Sequence, residues 1–213
     1  MNKNVRRLAA ALALWLGAAG AQAQVNIVKV GVTRYTTDSV STGIKGIGVP
    51  PGADAETGDA TTAIFTYERM FTPNIGVEFA VGIPPRVHAD ATGSVAFLGS
   101  DVLSAKNASP TLFINYHFGN PGDTWRPSLG IGAQYTRFVG IRSKLSNDVR
   151  MDDTLGPAAV AGLDYAINKQ WGLFASVAVL RVRTDLVAVA SNVLTTTIDF
   201  RPVTYSFGAS FRF

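Results

Sequence analysis

Apolar residues recur at every second position through most of this chain. In NIGVEFAVGI (74–83), TLFINYHF (111–118) and SLGIGAQY (128–135), they alternate with residues that are mostly small or polar. The C-terminal segment YSFGASFRF (205–213) repeats the pattern with aromatic residues on one face and ends on Phe213. Period-two alternation over eight or more residues indicates β-strands with one apolar face. Helical spacing hardly occurs outside the N-terminal segment.

The N-terminal segment has the composition of a secretory signal peptide. A basic start is followed by the apolar run LAAALALWLGAAGA (8–21) and by the small-x-small motif AQA (21–23). A run of about 14 apolar residues is too short to span a bilayer, which needs roughly 20. We therefore expect a signal peptide over residues 1–23 that is cleaved, and a mature domain over residues 24–213.

Composition excludes several classes of protein. The full chain has 19 basic and 15 acidic residues, and removing Lys3, Arg6 and Arg7 of the signal peptide leaves 16 against 15. No basic cluster with interleaved aromatic residues is present, so we expect no nucleic-acid partner. The absence of cysteine excludes disulfides, thiol catalysis and thiolate metal sites. No later segment is long and apolar enough for a transmembrane helix, so a mature chain that enters a membrane must cross it as strands.

Short and long connections alternate along the chain. The long ones lie near 42–58, 91–106, 143–156 and 188–194. The expected strands span roughly 25–40, 60–71, 75–90, 108–118, 125–142, 157–167, 171–187 and 195–213. An even number of antiparallel strands, with short turns at one end and long loops at the other, is typical of outer-membrane barrels. The predicted fold is all-β: an eight-stranded antiparallel transmembrane β-barrel of the outer-membrane type, preceded by a cleaved signal peptide. The predicted location is the cell outer membrane.

Two features favour a membrane barrel over a soluble β-sandwich. The expected strands are long against the usual 5–6 residues. Aromatic residues cluster at strand ends, as in the interfacial girdle of a barrel: Tyr67, Phe71, Tyr116, Phe118, Trp125, Tyr165, Trp171, Phe211 and Phe213. Because every backbone group in lipid must be paired, the last strand should close the barrel against the first. Phe213 would then lie in the periplasmic aromatic belt, and it resembles the C-terminal signature that barrel-assembly machinery recognises.

Four segments carry a resemblance to a known family: TYERMFTPNIGVEFAVGIP (66–84), ASPTLFINYHF (108–118), WRPSLGIGAQYTRF (125–138) and MDDTLGPAAVAGLDYAINKQWGLFASV (151–177). Together they resemble the outer membrane protein W (OmpW) family, which includes alkane-import relatives, and they touch six of the eight expected strands. The resemblance implies an eight-stranded barrel with a narrow hydrophobic lumen. It also implies passive passage of small apolar molecules across the outer membrane, with a sideways exit through the barrel wall.

Inward positions near the short-turn end are polar or charged. They come from six expected strands and are Lys29, Glu68, Glu78, Asn115, His117, Asp164 and Arg212. Opposite charges that converge in a narrow barrel should pair, because an unpaired buried charge costs several kcal/mol. We interpret these residues as a polar plug that closes the periplasmic end. The alternative is ordinary filling of a barrel interior, with no bearing on transport.

Inward positions farther from the short turns are unusually apolar for a lumen, which is normally polar. They are Ile64, Phe113, Phe138, Val160, Phe174, Ala178 and Leu180. This pattern favours a path for an apolar ligand over a water-filled pore. The alternative is a dry packed core that only stabilises a small barrel.

Prolines interrupt two neighbouring expected strands. Pro84 and Pro85 lie in the third expected strand, and Pro110 lies in the fourth, its neighbour. Proline removes a donor from the ladder and belongs at edges or breaks. We predict a local gap in hydrogen bonding there, through which a solute leaves laterally. The alternative is that these prolines mark where the strands leave the membrane.

Catalytic signatures are weak. The two histidines, His88 and His117, are isolated, and no serine stands two residues after His117 as in lipid A deacylase barrels. No G-x-S-x-G elbow is present. Ser206 faces inward and could meet His117, but alternating serines are ordinary barrel lining. We expect no enzyme activity, no metal site and no cofactor.

The sequence therefore predicts an outer-membrane channel for passive transport of small hydrophobic molecules, with lateral exit through the barrel wall. Its expected partners are the outer-membrane lipid bilayer, small apolar solutes and the barrel-assembly machinery that binds through Phe213. The alternative is a structural or surface-interaction barrel, whose loops near 42–58 and 91–106 bind partners without transport.

Overall fold

The chain folds as β-structure in a computed structural model that describes residues 25–36, 39–41, 45–46, 50–144, 148–189 and 193–213. The predicted signal peptide lies outside these residues. The strands are β1 (Asn26–Thr36), β2 (Ser39–Ser41), β3 (Lys45–Gly46), β4 (Ala53–Thr57), β5 (Ala60–Met70), β6 (Ile75–Gly82), β7 (Arg86–Gly93), β8 (Leu103–Ala108), β9 (Thr111–His117), β10 (Trp125–Ser143), β11 (Asp148–Met151), β12 (Thr154–Ala166), β13 (Trp171–Leu180), β14 (Val182–Val189), β15 (Val193–Phe200) and β16 (Val203–Arg212). A short 3₁₀ helix spans Ala96–Leu98. Within the described ranges, no helix is long and apolar enough to cross a membrane.

Eight of these strands form a closed antiparallel barrel. Its order is β1–β5–β6–β9–β10–β12–β13–β16, and β16 returns to β1 over the pairs Ile27↔Arg212 to Thr36↔Val203. The predicted eight-stranded barrel is confirmed, and so is the closure of the last strand against the first. Because β16 pairs with β1, neither end strand of the sheet is left with a free edge, which is the condition for strands to lie in lipid.

The outer face of the barrel is apolar, as the alternation predicted. Ile131 is 72% exposed and Phe207 is 58% exposed, and both project from the wall. Aromatic rings pair beside the short turns: the ring centroids of Trp125 and Tyr165 lie 4.6 Å apart, and those of Trp171 and Phe211 lie 4.9 Å apart. An apolar band that ends in aromatic rings matches the interface of a bilayer.

Three expected strands are each divided in two. The third breaks at Pro84-Pro85 between β6 and β7, the seventh breaks at Arg181 between β13 and β14, and the last breaks at 201–202 between β15 and β16. The prediction of single continuous strands is wrong here, because the lower halves pair within the barrel while the upper halves pair in separate ladders. Proline lacks the N–H that a continuous ladder needs at two of these breaks.

The segments expected as long loops also carry β-structure. β4, β7 and β8 continue upward from β10, and β11, β14, β15 and β2 form a second sheet with β3 beside β15. A small apolar core supports the first group and consists of Ala53, Ala91, Val95 and Val102. The long-loop end is therefore a built structure that extends the barrel.

The seam between β1 and β16 depends on two glycines that face each other, Gly31 and Gly208. A Cβ on Gly31 would lie 2.2 Å from the carbonyl oxygen of Phe207, which is backbone and cannot move aside. We expect Gly31→Ala to destabilise the folded barrel by about 1–3 kcal/mol through overpacking, measured by urea unfolding in lipid vesicles. Gly58→Ala is the control, because a Cβ at Gly58 meets nothing within 4 Å. Equal losses in both variants would show that crowding at the seam is not the cause.

Candidate functional site

Charged side chains cross the barrel at the short-turn end. We call them the ion cluster, which consists of Lys29, Glu68, Glu78, Asn115, His117 and Asp164. The Nζ atom of Lys29 lies 3.5 Å from Glu68 Oε2, 3.9 Å from Glu78 Oε2 and 3.4 Å from Asp164 Oδ1. One cation thus faces carboxylates from three other strands at the centre of the lumen. The Lys29 ammonium also lies 5.7 Å from the ring centroid of Phe174.

His117 and Asn115 connect the carboxylates of the cluster. The His117 side chain is 1% exposed, with Nε2 2.7 Å from Glu68 Oε1 and Nδ1 3.7 Å from Asp164 Oδ2. Asn115 Nδ2 donates to Glu68 Oε1 at 3.0 Å and to Glu78 Oε2 at 2.6 Å. These contacts join β1, β5, β6, β9 and β12, so the cluster fills the cross-section of the barrel near its short turns.

Arg212, which the sequence placed in the plug, lies outside the ion cluster. Its Nη1 donates to the carbonyl oxygen of Pro121 at 3.1 Å, at the exposed rim. Arg212 pairs with Ile27, whereas Lys29 of the cluster pairs with Ser210, so Arg212 lies two residues closer to the short turns. Arg126 was missed: it is buried beneath the cluster, and its Nη2 donates to Pro73 O at 2.7 Å. Ser128 faces inward on β10, and residues two apart on a strand share a face, so the same alternation places Arg126 inside the barrel.

A narrow cavity of about 60 Å³ lies above the ion cluster. One part of its wall is apolar, with Phe113, Ala178 and Leu180 in a buried cluster against which Val160 packs. Ile64 and Phe174 also line it. The sequence-predicted apolar residues are thus brought together here, with the exception of Phe138.

The rest of the cavity wall is polar and includes several hydroxyl groups, of which the sequence analysis had placed only that of Ser206 inside the barrel. Hydroxyl groups of Thr33, Thr66, Thr204 and Ser206 line it from the adjacent strands β16, β1 and β5. Ser206 Oγ donates to Thr33 Oγ1 at 2.9 Å. The lumen is therefore mixed, with apolar side chains and hydroxyl groups facing the same cavity. The signal was present in the inward register of β1 and β16.

A second cavity of about 40 Å³ lies toward the long-loop end. Phe138 lines it together with Pro85, Val87 and Val182. Tyr35 and Gln134 line both cavities and so form the boundary between them. Both cavities are small beside the roughly 150 Å³ that holds a benzene molecule, so an aromatic solute would have to displace side chains to pass.

The barrel wall is unpaired where the prolines lie. The β6–β9 ladder ends at Ala80↔Thr111, and the β7–β8 ladder begins at Arg86↔Lys106. Between them lies what we call the wall gap, formed by residues 81–85 and 107–110. All nine of these residues are described, and one backbone hydrogen bond crosses between them, from Asn107 N–H to Pro85 O at 3.1 Å.

The wall gap is local and lies against both cavities. Ile83 N–H donates to Ala63 O, and Tyr135 N–H donates to Pro110 O, so each strand stays bonded to its other neighbour. The backbone oxygen of Pro110 thus faces β10 and not the gap. The lower cavity is lined by Val81, Gly82 and Ser109 of the gap, and the upper cavity by Pro85 and Asn107.

The two histidines lie in separate environments. His117 is engaged by carboxylates of the ion cluster, whereas Ser206 donates to Thr33, so the considered Ser206–His117 pair is not formed. At the long-loop end, His88 Nδ1 lies 2.7 Å from Asp101 Oδ1, and this hydrogen bond holds the pKa of the Asp101 carboxyl below its usual value. Among the described residues, no group of three or more histidine or acidic side chains could hold a metal ion.

Sequence comparison places this barrel among known proteins. The OmpW family profile matches residues 22–213. The chain belongs to the OmpW family. It is 32% identical to outer membrane protein W of Vibrio cholerae over 158 residues, which cover 70% of this chain and 71% of that protein. This OmpW family member is thus a protein of the outer membrane, embedded in its lipid bilayer.

Two further similarities extend the comparison. The dibenzothiophene metabolism operon protein PahQ of Pseudomonas aeruginosa is 29% identical over 159 residues, which cover 74% of this chain and 73% of that one. The crystal structure of OprG from Pseudomonas aeruginosa superposes with a TM-score of 0.83 at 24% identity, covering 92% of this chain and 98% of that one. OprG therefore shares the fold of this OmpW family barrel. In such barrels the short turns face the periplasm, which puts the ion cluster at the periplasmic end.

Proposed function

We propose that this barrel is a passive outer-membrane channel for small hydrophobic molecules, which leave sideways through the wall gap. The observation that carries the proposal is the position of the wall gap, which meets the lumen cavities above a floor of paired charges. An apolar solute that enters from the long-loop end would reach the gap before it reached the ion cluster.

The ion cluster opposes direct passage into the periplasm. An apolar solute at this level would have to separate Lys29 from Glu68, Glu78 and Asp164, whose side chains are all largely buried. Separating a buried charge from its partners costs about 3–5 kcal/mol. The cluster thus acts as a plug in the proposed mechanism, and the apolar side chains above it supply the favourable surface.

The wall gap lowers the cost of a lateral exit. Opening a paired ladder in lipid would break several backbone hydrogen bonds, each worth about 4–6 kcal/mol in an apolar medium. Between residues 81–85 and 107–110 a single such bond would have to break. The name of the relative PahQ, which refers to dibenzothiophene metabolism, supports an apolar solute for this barrel as well.

Uptake of radiolabelled naphthalene tests both parts of the proposal. Cells that lack their own channel of this type should take it up faster when they contain the protein. Pro84→Val with Pro85→Val should slow the protein-dependent uptake about two- to tenfold, because a donor at position 85 would face the gap and add a cross-strand bond. Pro85 already accepts from Asn107 on that side.

Pro127→Val is the matched control, because Pro127 is an exposed proline of β10 near the short turns and outside the gap. Unchanged uptake in the proline double variant, with the barrel shown to be folded, would overturn the lateral exit and leave the channel intact. Equal uptake with and without the protein would overturn the channel itself.

A second candidate function is binding of a partner at the cell surface. Phe97 favours it, because this aromatic side chain is 81% exposed in the 3₁₀ helix between β7 and β8. The four-residue apolar core beneath it holds the segment in place. This function becomes the leading one if the uptake experiment shows no dependence on the protein.

A further inference from the structure

Gln134 is a buried amide at the boundary between the two lumen cavities. Its side chain is 2% exposed and lines both of them. Its Nε2 donates to Thr136 Oγ1 at 2.8 Å, whereas its Oε1 is buried without a hydrogen-bond partner among the described residues. Leaving a buried acceptor unpaired costs free energy, so such an atom in a cavity wall marks a place for a ligand group.

The hydrogen bonds of the hydroxyl groups beside Gln134 determine which atom of its side-chain amide has no partner. Ser109 Oγ donates its single proton to Asn107 Oδ1. The contact of 3.3 Å between Ser109 Oγ and Thr136 Oγ1 therefore needs Thr136 as the donor. With its proton used, Thr136 can only accept from Gln134. The free atom of the amide is thus its oxygen, which is an acceptor.

A second unpaired polar atom lies in the same lower cavity. Thr66 is buried, and its Oγ1 also lacks a partner among the described residues. Phe113 and Leu180 line the same space, so a ligand for which these side chains moved aside would meet apolar surface and polar atoms together. A pure hydrocarbon would leave the Gln134 oxygen unpaired, and an ether would bring a second acceptor to it.

We propose that Gln134 selects solutes that combine a small apolar body with a hydrogen-bond donor, such as phenols and alcohols. The inference deepens the proposed function, on which it rests, by naming the class of solute that the lumen favours. Gln134 is a specificity-determining residue in this scheme: its amide oxygen accepts from the donor while the body lies against the apolar wall.

Three probes of similar size separate the possibilities: phenol carries a donor, toluene has no polar group and anisole has only an acceptor. The purified barrel is reconstituted in lipid nanodiscs with ¹⁵N-labelled glutamine. Residues 24–213 contain three glutamines, at 24, 134 and 170. Phenol should bind about three- to tenfold more tightly than toluene and anisole, the equivalent of one hydrogen bond. It should also shift the side-chain amide signal of Gln134 and leave that of Gln170, in an exposed turn, unchanged.

Gln134→Leu keeps a side chain of similar size and removes the oxygen. It should bring the three affinities within about twofold of one another, while Gln170→Leu should keep the preference for phenol. The wild-type amide signal decides the question even if Gln134→Leu does not fold. No shift of that signal with phenol, or a preference for anisole, would overturn the inference.

The uptake experiment distinguishes this inference from the channel itself. Protein-dependent uptake of naphthalene without a preference for phenol would overturn the role of Gln134 and leave the channel standing. Preference for phenol without any protein-dependent uptake would support Gln134 as a binding residue and overturn the channel.

Discussion

Lys29→Met is expected to destabilise the barrel by about 3–5 kcal/mol, because it leaves buried carboxylates without their cation. The side chain of Glu68 is fully buried, and Glu78 and Asp164 are largely so. Methionine has a similar length, so the effect comes from the charge and not from a cavity. Urea unfolding in lipid vesicles, followed by the altered gel mobility of the folded barrel, measures the change.

Arg34→Met is the matched control on the same strand. Arg34 pairs with Asp59 through Nη2 and Oδ2 at 3.0 Å, but its side chain is 63% exposed. Exposed ion pairs contribute about 0–1 kcal/mol. If both variants lost the same amount of stability, the buried ion pairs of the cluster would contribute no more to the stability of the barrel than an exposed pair.

A double variant separates two effects: the loss of the Lys29 charge itself and the cost of leaving buried carboxylates without a cation. Glu68→Gln added to Lys29→Met removes one negative charge from the cluster, so it should recover part of the stability that Lys29→Met loses. Residues in one ion-pair network couple by about 0.5–3 kcal/mol. Strict additivity of the two substitutions would show that Lys29 and Glu68 act independently.

The barrel could be predicted from the sequence because the side-chain period of a strand is two. Once the apolar face was assigned to lipid, the inward positions of each strand followed. Lys29, Glu68 and His117 were therefore placed inside correctly, as were Phe113 and Leu180. An assignment shifted by one residue would have placed every one of these side chains on the outer face of the barrel.

The stagger between neighbouring strands could not be predicted in this way. It fixes how far each inward residue stands above the turns, and alternation within one strand does not contain it. Arg212 and Arg126 illustrate the limit, because both face inward near a strand end but only Arg126 lies buried beneath the ion cluster. The same limit hid the contact chain from Gln134 to Ser109, which joins β10 to the segment before β9.

Replacing two side chains of the lumen by larger ones should block the protein-dependent uptake of naphthalene. Phe113 and Leu180 belong to one buried cluster in the lower cavity, from β9 and β13. In Phe113→Trp with Leu180→Trp, the added rings would fill a space of about 60 Å³ that is already narrow. Protein-dependent naphthalene uptake should fall at least about tenfold, because overpacked side chains cannot move aside for the solute.

The control also introduces two tryptophans, one residue away on each strand. Leu112 and Val179 are 51% and 52% exposed on the outer face, so Leu112→Trp with Val179→Trp adds at least as much bulk, directed toward lipid. Overpacking costs about 1–3 kcal/mol, so the altered gel mobility must first show that both variants are folded. Loss of uptake in the inward pair alone would place the solute path inside the barrel. Unchanged uptake in both pairs would mean that the solute does not cross the lumen. The wall gap would then have to serve some purpose other than its exit.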